Sequence, residues 1–147
     1  MKDSLARRRS RVRAVVATLT VLLLTGCPRT AILYQPPPVS FQPLPARDVE
    51  AAIFEGCSRR GWVPTKIQDG VIEATLHLRT HVAVVQIDYS RDSFVVKYVR
   101  SDNLNYRRRS DGSEVIHPNF NSWVKNLTHD ITVALEVERA RSAAKEP

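Results

Sequence analysis

The stretch "VIEATLHLRTHVAVVQIDYSRDSFVVKYV", residues 71–99, decides the fold. Its apolar and polar residues alternate, which is the period of a β-strand with one buried face. Two-residue turns at 79–80 and 91–92 divide it into three strands, and a turn at 69–70 joins a fourth strand to its start. All three turns place the apolar residues on the same face, and a slip of one residue in any hairpin would break that agreement. The sequence therefore predicts a four-stranded antiparallel meander.

The turns also determine which residues face each other. Ile67 is expected opposite Ile72, and Ile72 opposite Ile87, while Val63 is expected opposite Leu76. The other face of the sheet is only half polar, which makes it a candidate contact surface for an envelope protein or for a second copy of the chain. Four valines mark this face, namely Val82, Val84, Val95 and Val99.

Two helices are predicted on either side of the meander in the sequence. Residues 46–60 and residues 119–139 repeat apolar positions at intervals of three and four, which indicates a helix with one buried stripe. Cys57 falls on the stripe of the first helix and is expected to be a small core residue. The prediction is an α+β domain over residues 46–140, a two-layer sandwich in the order α-β-β-β-β-α with both helices packed on one face, followed by a frayed tail at 141–147.

The first 26 residues have the layout of a signal peptide. Residues 2–13 hold six basic side chains and one acidic side chain, and eleven uncharged, mostly apolar residues follow at 14–24. A transmembrane helix needs about 20 apolar residues, so this run is too short to span the bilayer. We expect residues 1–26 to be removed.

The four residues "LTGC" at 24–27 resemble the lipobox of bacterial lipoproteins. In that family the thiol of the cysteine, here Cys27, receives a diacylglyceryl group, and the amine that cleavage frees is usually acylated as well. Two or three acyl chains, at about 0.8 kcal/mol per buried CH₂, anchor a protein stably to a membrane. An Asp after the cysteine favours the inner membrane, and Pro28 stands there instead, so the resemblance implies the outer membrane and a domain that faces the periplasm. The alternative is a secretory leader that contains a cysteine by chance.

Residues 27–45 are predicted to form the lipidated cysteine and a proline-rich tether. Six of the nine prolines lie in the eighteen residues 28–45. Proline fixes φ and lacks the N–H that helices and sheets use, so the segment is expected to be extended. An extended tether of that length reaches roughly 50 Å from the lipid surface. The alternative is that the prolines form a ligand for another protein.

The positive charge of the chain belongs mainly to the leader. The formal net charge is +7, but six of the 22 basic and one of the 15 acidic residues precede Cys27. The 16 basic and 14 acidic residues that remain leave +2 on a mature chain of 121 residues. Proteins that bind nucleic acids through the phosphates need a positively charged domain. We therefore predict no nucleic-acid partner.

The four histidines do not indicate a metal site. They lack the H-x-x-x-H and H-E-x-x-H spacings, and His77 and His81 point to opposite faces of the predicted sheet. We predict no metal, no cofactor and no catalytic residue. An enzyme that uses His81 or His117 as a base is an alternative, although the sequence shows no evident nucleophile.

A polar and aromatic set is expected near one edge of the sheet, at the face that the helices cover. One interpretation is that these side chains hold the loop 101–118 against the sheet edge and cap the last helix, with Asn119 or Asn121 near its start. The other is a small polar pocket for a ligand, centred on the first four members of the set. The members are Arg79, His81, Asn103, His117, Asn121 and Trp123.

Four segments, "RGW", "GVIEATLHLRTHVAVVQIDYS", "SDNLNYR" and "IHPNFNSWVKNL", are similar to a group of small, functionally uncharacterised bacterial lipoproteins. The similarity covers roughly residues 58–131 and departs from the group at Phe120, where Tyr is usual, and at a longer loop over 107–115. The resemblance implies a lipid anchor and a structural or binding role, and no activity. We thus expect a non-enzymatic envelope lipoprotein, with a small-ligand-binding domain as the alternative.

Overall fold

The computed structural model describes residues 30–144, which form an α+β fold with mostly antiparallel sheets. The two helices are α1 (Ala46–Ser58) and α2 (Pro118–Ala143). The strands are β1 (Ala31–Ile32), β2 (Val39–Ser40), β3 (Trp62–Gln68), β4 (Val71–Leu78), β5 (His81–Tyr89), β6 (Ser93–Asp102), β7 (Arg107–Arg108) and β8 (Glu114–Ile116). Neither described helix is long and apolar enough to cross a membrane.

The main sheet has five strands in the order β2-β6-β5-β4-β3, so the prediction of four strands is wrong. The additional strand, β2, comes from the proline-rich segment and pairs with the outer edge of β6. Val39 faces Phe94 there, and Ser40 faces Ser93. An edge strand exposes unpaired N–H and C=O groups, and a neighbouring extended segment satisfies part of them. The observed element order is therefore longer than the predicted α-β-β-β-β-α.

The predicted register of the central hairpins is confirmed. Ile72 faces Ile87 across β4 and β5, and Ile87 faces Val96 across β5 and β6. All three side chains are buried. The alternation of apolar residues fixed this register because a shift by one residue would have exposed the whole set.

The predicted register of β3 is wrong. Gln68 faces Val71 across the expected two-residue turn, but a β-bulge between Lys66 and Gln68 shifts the rest of the strand by one residue. Trp62, instead of Val63, faces Leu76, and Trp62 is buried. Val63 and Ile67 are 60% and 58% exposed. A bulge leaves one residue unpaired and re-aims those beyond it, and here it turns the largest apolar side chain of the strand inward.

One core holds the sheet and both helices together. One hydrophobic cluster contains the buried residues of β4 and β5 that face the helices, the stripe of α1 that includes Cys57, and the stripe of α2. The helices approach closely at Gly56, where an added Cβ would lie 2.7 Å from the Cα of Ile131. Burial raises the pKa of the Cys57 thiol to about 12, so this cysteine is a packed core residue, as expected.

The described part of the proline-rich segment lies on the domain. β1 pairs with β8 in a second, three-stranded sheet of order β1-β8-β7, and the next residue, Leu33, is buried in the core together with Leu44. The backbone of this segment is extended. However, its apolar side chains and short strands pack against the domain instead of crossing open solvent. The predicted boundary at residue 46 and the 50 Å reach are thus corrected, because residues 31–45 already belong to the folded unit. Cys27 lies outside the described residues.

The loop after β6 contains the small hairpin of β7 and β8, in which Arg108 faces Glu114. His117 follows as the N-cap of α2. This helix continues to Ala143, three residues into the tail that was predicted to fray from residue 141, and residues 145–147 lie outside the described part.

Candidate functional site

Part of the predicted polar set meets at the end of the main sheet where β4 turns into β5. The Nδ1 atom of His81 lies 2.7 Å from the backbone oxygen of Asn103, and a carbonyl can only accept, so Nδ1 carries the proton. The side-chain amide of Asn103 donates to the Thr80 hydroxyl at 2.9 Å. Asn103 adopts a left-handed backbone with φ of 55°, which asparagine tolerates better than most residues. These bonds attach the loop after β6 to the β4–β5 turn.

His117 connects the same loop to α2. Its backbone N–H donates to the Leu104 oxygen at 2.7 Å, and its Nδ1 accepts the backbone N–H of Asn119 at 3.2 Å as the helix cap. The ring centroid of His117 lies 6.2 Å from that of His81, and the Trp123 ring lies 6.4 Å from His81. The helix is capped as expected, but by His117 and not by the side chain of Asn119 or Asn121.

The two histidines have the wrong protonation pattern for shared metal binding. Because Nδ1 of His117 accepts a hydrogen bond, its proton resides on Nε2, and that nitrogen has no lone pair to offer a metal. Within residues 30–144 no group of three or more His, Cys, Asp or Glu side chains is arranged to hold a metal ion.

Asn121 lies away from the histidines and forms its hydrogen bonds with the backbone at β1. Its Nδ2 donates to the Ile32 oxygen at 2.8 Å, and its Oδ1 accepts the Tyr34 N–H at 2.9 Å. The amide thus takes the place of a neighbouring strand along the free edge of β1. The Nζ of Lys125, one turn further along α2, lies 5.0 Å from the centre of the Tyr34 ring, within the range of a cation–π contact.

The structure thus brings His81, Asn103, His117 and Trp123 together and places Asn121 elsewhere. Arg79 lies in the exposed β4–β5 turn with φ of 55°. The polar side chains bond to backbone groups and to the adjacent turn, which is the arrangement of a structural network. Two clefts beside α1 are lined by other residues.

The larger polar cluster, which the sequence did not indicate, lies at the opposite end of the sheet. Glu50 of α1 accepts from Lys66 at 2.8 Å and from the Tyr89 hydroxyl at 3.0 Å, and Lys66 also pairs with Asp69 at 2.9 Å. An open cleft of about 360 Å³ adjoins these groups. Its lining residues are Ala46, Arg47, Glu50, Lys66, Asp69, Gly70, Tyr89, Ser90 and Arg91.

The charges of this cluster satisfy one another. The hydrogen bond from Lys66 is the main cause that lowers the pKa of Glu50, and the same hydrogen bond is the main cause that raises the pKa of Lys66. Burial, followed by the bond to Glu50, raises the pKa of Tyr89. Sequence reasoning missed the cluster because the bulge in β3 turns Lys66 from the outer face toward α1.

The outer face of the sheet offers less apolar surface than predicted. Val84 is fully buried, and Val82 and Val95 are partly buried, while Val99 is 40% exposed. An ion pair at 3.5 Å between Arg100 of β6 and Glu73 of β4 spans β5 on the face that carries Val84. A second bulge, opposite Val84 and Val85, leaves Val99 unpaired. Any contact through this face would therefore use Val99 and polar groups, and not Val84.

No family model, no curated protein and no solved structure matches the chain.

Proposed function

We propose that this chain is an envelope lipoprotein whose domain is anchored through acyl chains on Cys27 and serves as a non-enzymatic interaction or structural module. We place it on the outer membrane with its domain in the periplasm, as a relative of the small bacterial lipoproteins that it resembles in sequence. The single observation that carries the proposal is the order of its first 27 residues: a basic stretch, a short apolar run and the sequence "LTGC".

The described structure supports a binding or structural role rather than catalysis. Glu50 is paired with Lys66 and accepts a hydrogen bond from Tyr89, and the clustered histidines bond to backbone groups. The one described thiol, Cys57, is buried. These contacts do not place a nucleophile next to a base, which acyl or phosphoryl transfer would require.

The experiment compares intact mass and membrane fractionation of the wild type, Cys27→Ser and Cys57→Ala in a bacterial host with lipoprotein processing. The proposal predicts that the wild type and Cys57→Ala lose residues 1–26, gain the mass of two or three acyl chains and sediment with membranes. Cys27→Ser is expected to carry no lipid. Equal masses without lipid in the wild type and in Cys27→Ser would contradict the anchor, and Cys57→Ala controls for the loss of a cysteine as such.

A further inference from the structure

We propose that the lipid anchor brings one defined surface of the domain onto the headgroups of anionic phospholipids. This surface, which we call the hairpin surface, consists of Ile32 on β1 and Arg107 and Arg109 at the β7–β8 hairpin. The inference rests on the proposed lipidation of Cys27 and names the partner that the anchor would place within reach.

The chain leaves little distance between the anchor and this surface. Only three residues separate Cys27 from Ala31, the first residue of β1. Four Cα–Cα steps span at most about 14 Å even when fully extended. β7 is the second neighbour of β1 in the three-stranded sheet, so it lies about 10 Å from β1. Arg107 and Arg109 therefore lie within roughly 30 Å of the lipid attachment point.

The register places an apolar and a basic side chain on the same face of the small sheet. Ile32 faces Val115, and Val115 in turn faces Arg107, so the three side chains form one row. Val115 in the middle is buried, while Ile32 is 59% exposed and Arg107 is exposed. An exposed isoleucine beside arginines matches the mixed apolar and cationic composition of surfaces that bind at the lipid interface.

The charges of the hairpin surface are available to an external anion. Arg107 and Arg109 make no ion pair with any residue in 30–144, and Arg108 keeps 70% of its side chain exposed although it pairs with Glu114. The acidic residues of the hairpin are engaged locally: Asp111 accepts from Ser113, and Glu114 accepts from Arg108 and Tyr106. The guanidinium groups of Arg107 and Arg109, which form no ion pair within residues 30–144, are thus exposed to solvent, and guanidinium forms strong bonds with phosphate.

The test uses the mature lipidated protein in vesicles of phosphatidylcholine, with or without phosphatidylglycerol, that contain a spin-labelled lipid as quencher. A fluorophore is attached to Ile32→Cys or, as a control at the far end of the main sheet, to Asp69→Cys. The acylated Cys27 does not react, and the buried Cys57 with its raised pKa is protected in the folded protein. We expect quenching at position 32 to exceed that at position 69, and to increase with phosphatidylglycerol and decrease with salt.

The arginines are tested by Arg107→Gln/Arg109→Gln, with Arg139→Gln/Arg141→Gln at the other end of α2 as the control of equal charge. Each basic residue near an anionic membrane raises the binding constant about fivefold. The first pair of substitutions is therefore expected to lower the ratio of docked to free domain about 25-fold, and the second pair to leave this ratio unchanged.

Equal quenching at positions 32 and 69, or quenching that does not change with the phosphatidylglycerol content, would overturn the docking. Failure of the wild type to sediment with phosphatidylcholine vesicles would instead overturn the anchor, and the docking with it.

Discussion

Asn121 makes two hydrogen bonds with the backbone on either side of Leu33, and both are lost when its amide is removed. Sequence reasoning placed this residue in a polar set near the histidines. It could not identify the true partners because residues 32 and 34 are 89 and 87 positions away and belonged to the predicted tether. The same uncertainty applied to His81, whose need for a hydrogen-bond partner was predictable, although the identity of that partner was not.

Asn121→Ala is expected to lower the free energy of unfolding by about 1–3 kcal/mol, because one backbone donor and one acceptor of the β1 segment lose their partner. Hydrogen exchange should increase at residues 32–34 first. Asn126→Ala, an exposed asparagine of the same helix, is the control and should change neither quantity. Unchanged exchange at residues 32–34 in Asn121→Ala would contradict the role of this amide.

Glu50→Gln is expected to reduce stability in a pH-dependent manner. The pKa of Glu50 in the folded protein is lowered from 4.5, chiefly by Lys66, so the carboxylate contributes stability above the unfolded value, and that contribution is lost as the pH falls through the folded value. Thermal unfolding should show a lower Tm for Glu50→Gln at pH 7 and a shrinking difference from the wild type below pH 4. Glu136→Gln on the exposed surface of α2 is the control, and an equal Glu50→Gln effect at both pH values would contradict the assignment.

At the scale of elements, the closest approach in the core is the crossing of α1 and α2 at Gly56. An added Cβ would lie 2.7 Å from the Cα of Ile131 and 2.8 Å from its backbone nitrogen. Contacts this short with backbone atoms cannot be relieved by rotating a side chain, so the helices would have to separate. The small residue on the helix stripe is therefore required by packing.

Gly56→Ala is expected to destabilise the protein by about 1–3 kcal/mol through overpacking. The sign is informative because the same change in an exposed helix raises stability by up to about 1 kcal/mol. Chemical denaturation of Gly56→Ala and of the wild type measures the difference. An increase in the free energy of unfolding would show that the helices do not cross as closely as described.

The elements with a clear internal pattern were predictable, and those that depend on distant partners were not. Strands β4 to β6 and both helices follow from periodicity and turn residues, because burial on one face leaves a local signal. The bulge in β3 leaves no such signal: Val63 and Ile67 fit the alternation as well as Trp62 does, and only packing decides between them. β1 and β2 are two residues each and acquire their structure from β8 and β6.

At the scale of the whole molecule, the main difference from expectation is the attachment of the N-terminal segment. Leu33 and Leu44 belong to the hydrophobic core, so the domain has little free chain between itself and Cys27. A module held this close to a membrane can contact lipid directly, whereas a domain on a long tether would search a wide volume for distant partners.

Leu33→Ala is expected to lower the free energy of unfolding by about 2 kcal/mol or more, which is the usual cost of truncating a buried leucine. A leucine in a free tether would contribute nothing. Gln35→Ala, an exposed residue two positions further along, is the control and should leave stability unchanged. Equal stability of Leu33→Ala and the wild type would show that this segment is a tether and not part of the folded domain.

The most direct measurement of the central claim is neutron reflectometry of the mature lipidated protein on a supported bilayer that contains phosphatidylglycerol. The account predicts a protein layer that touches the headgroups, with no water layer between them, because only three residues lie between Cys27 and β1. A water layer of roughly 50 Å between bilayer and domain would show a free tether and contradict the account. Absence of a protein layer in the mature wild type would contradict the anchor itself.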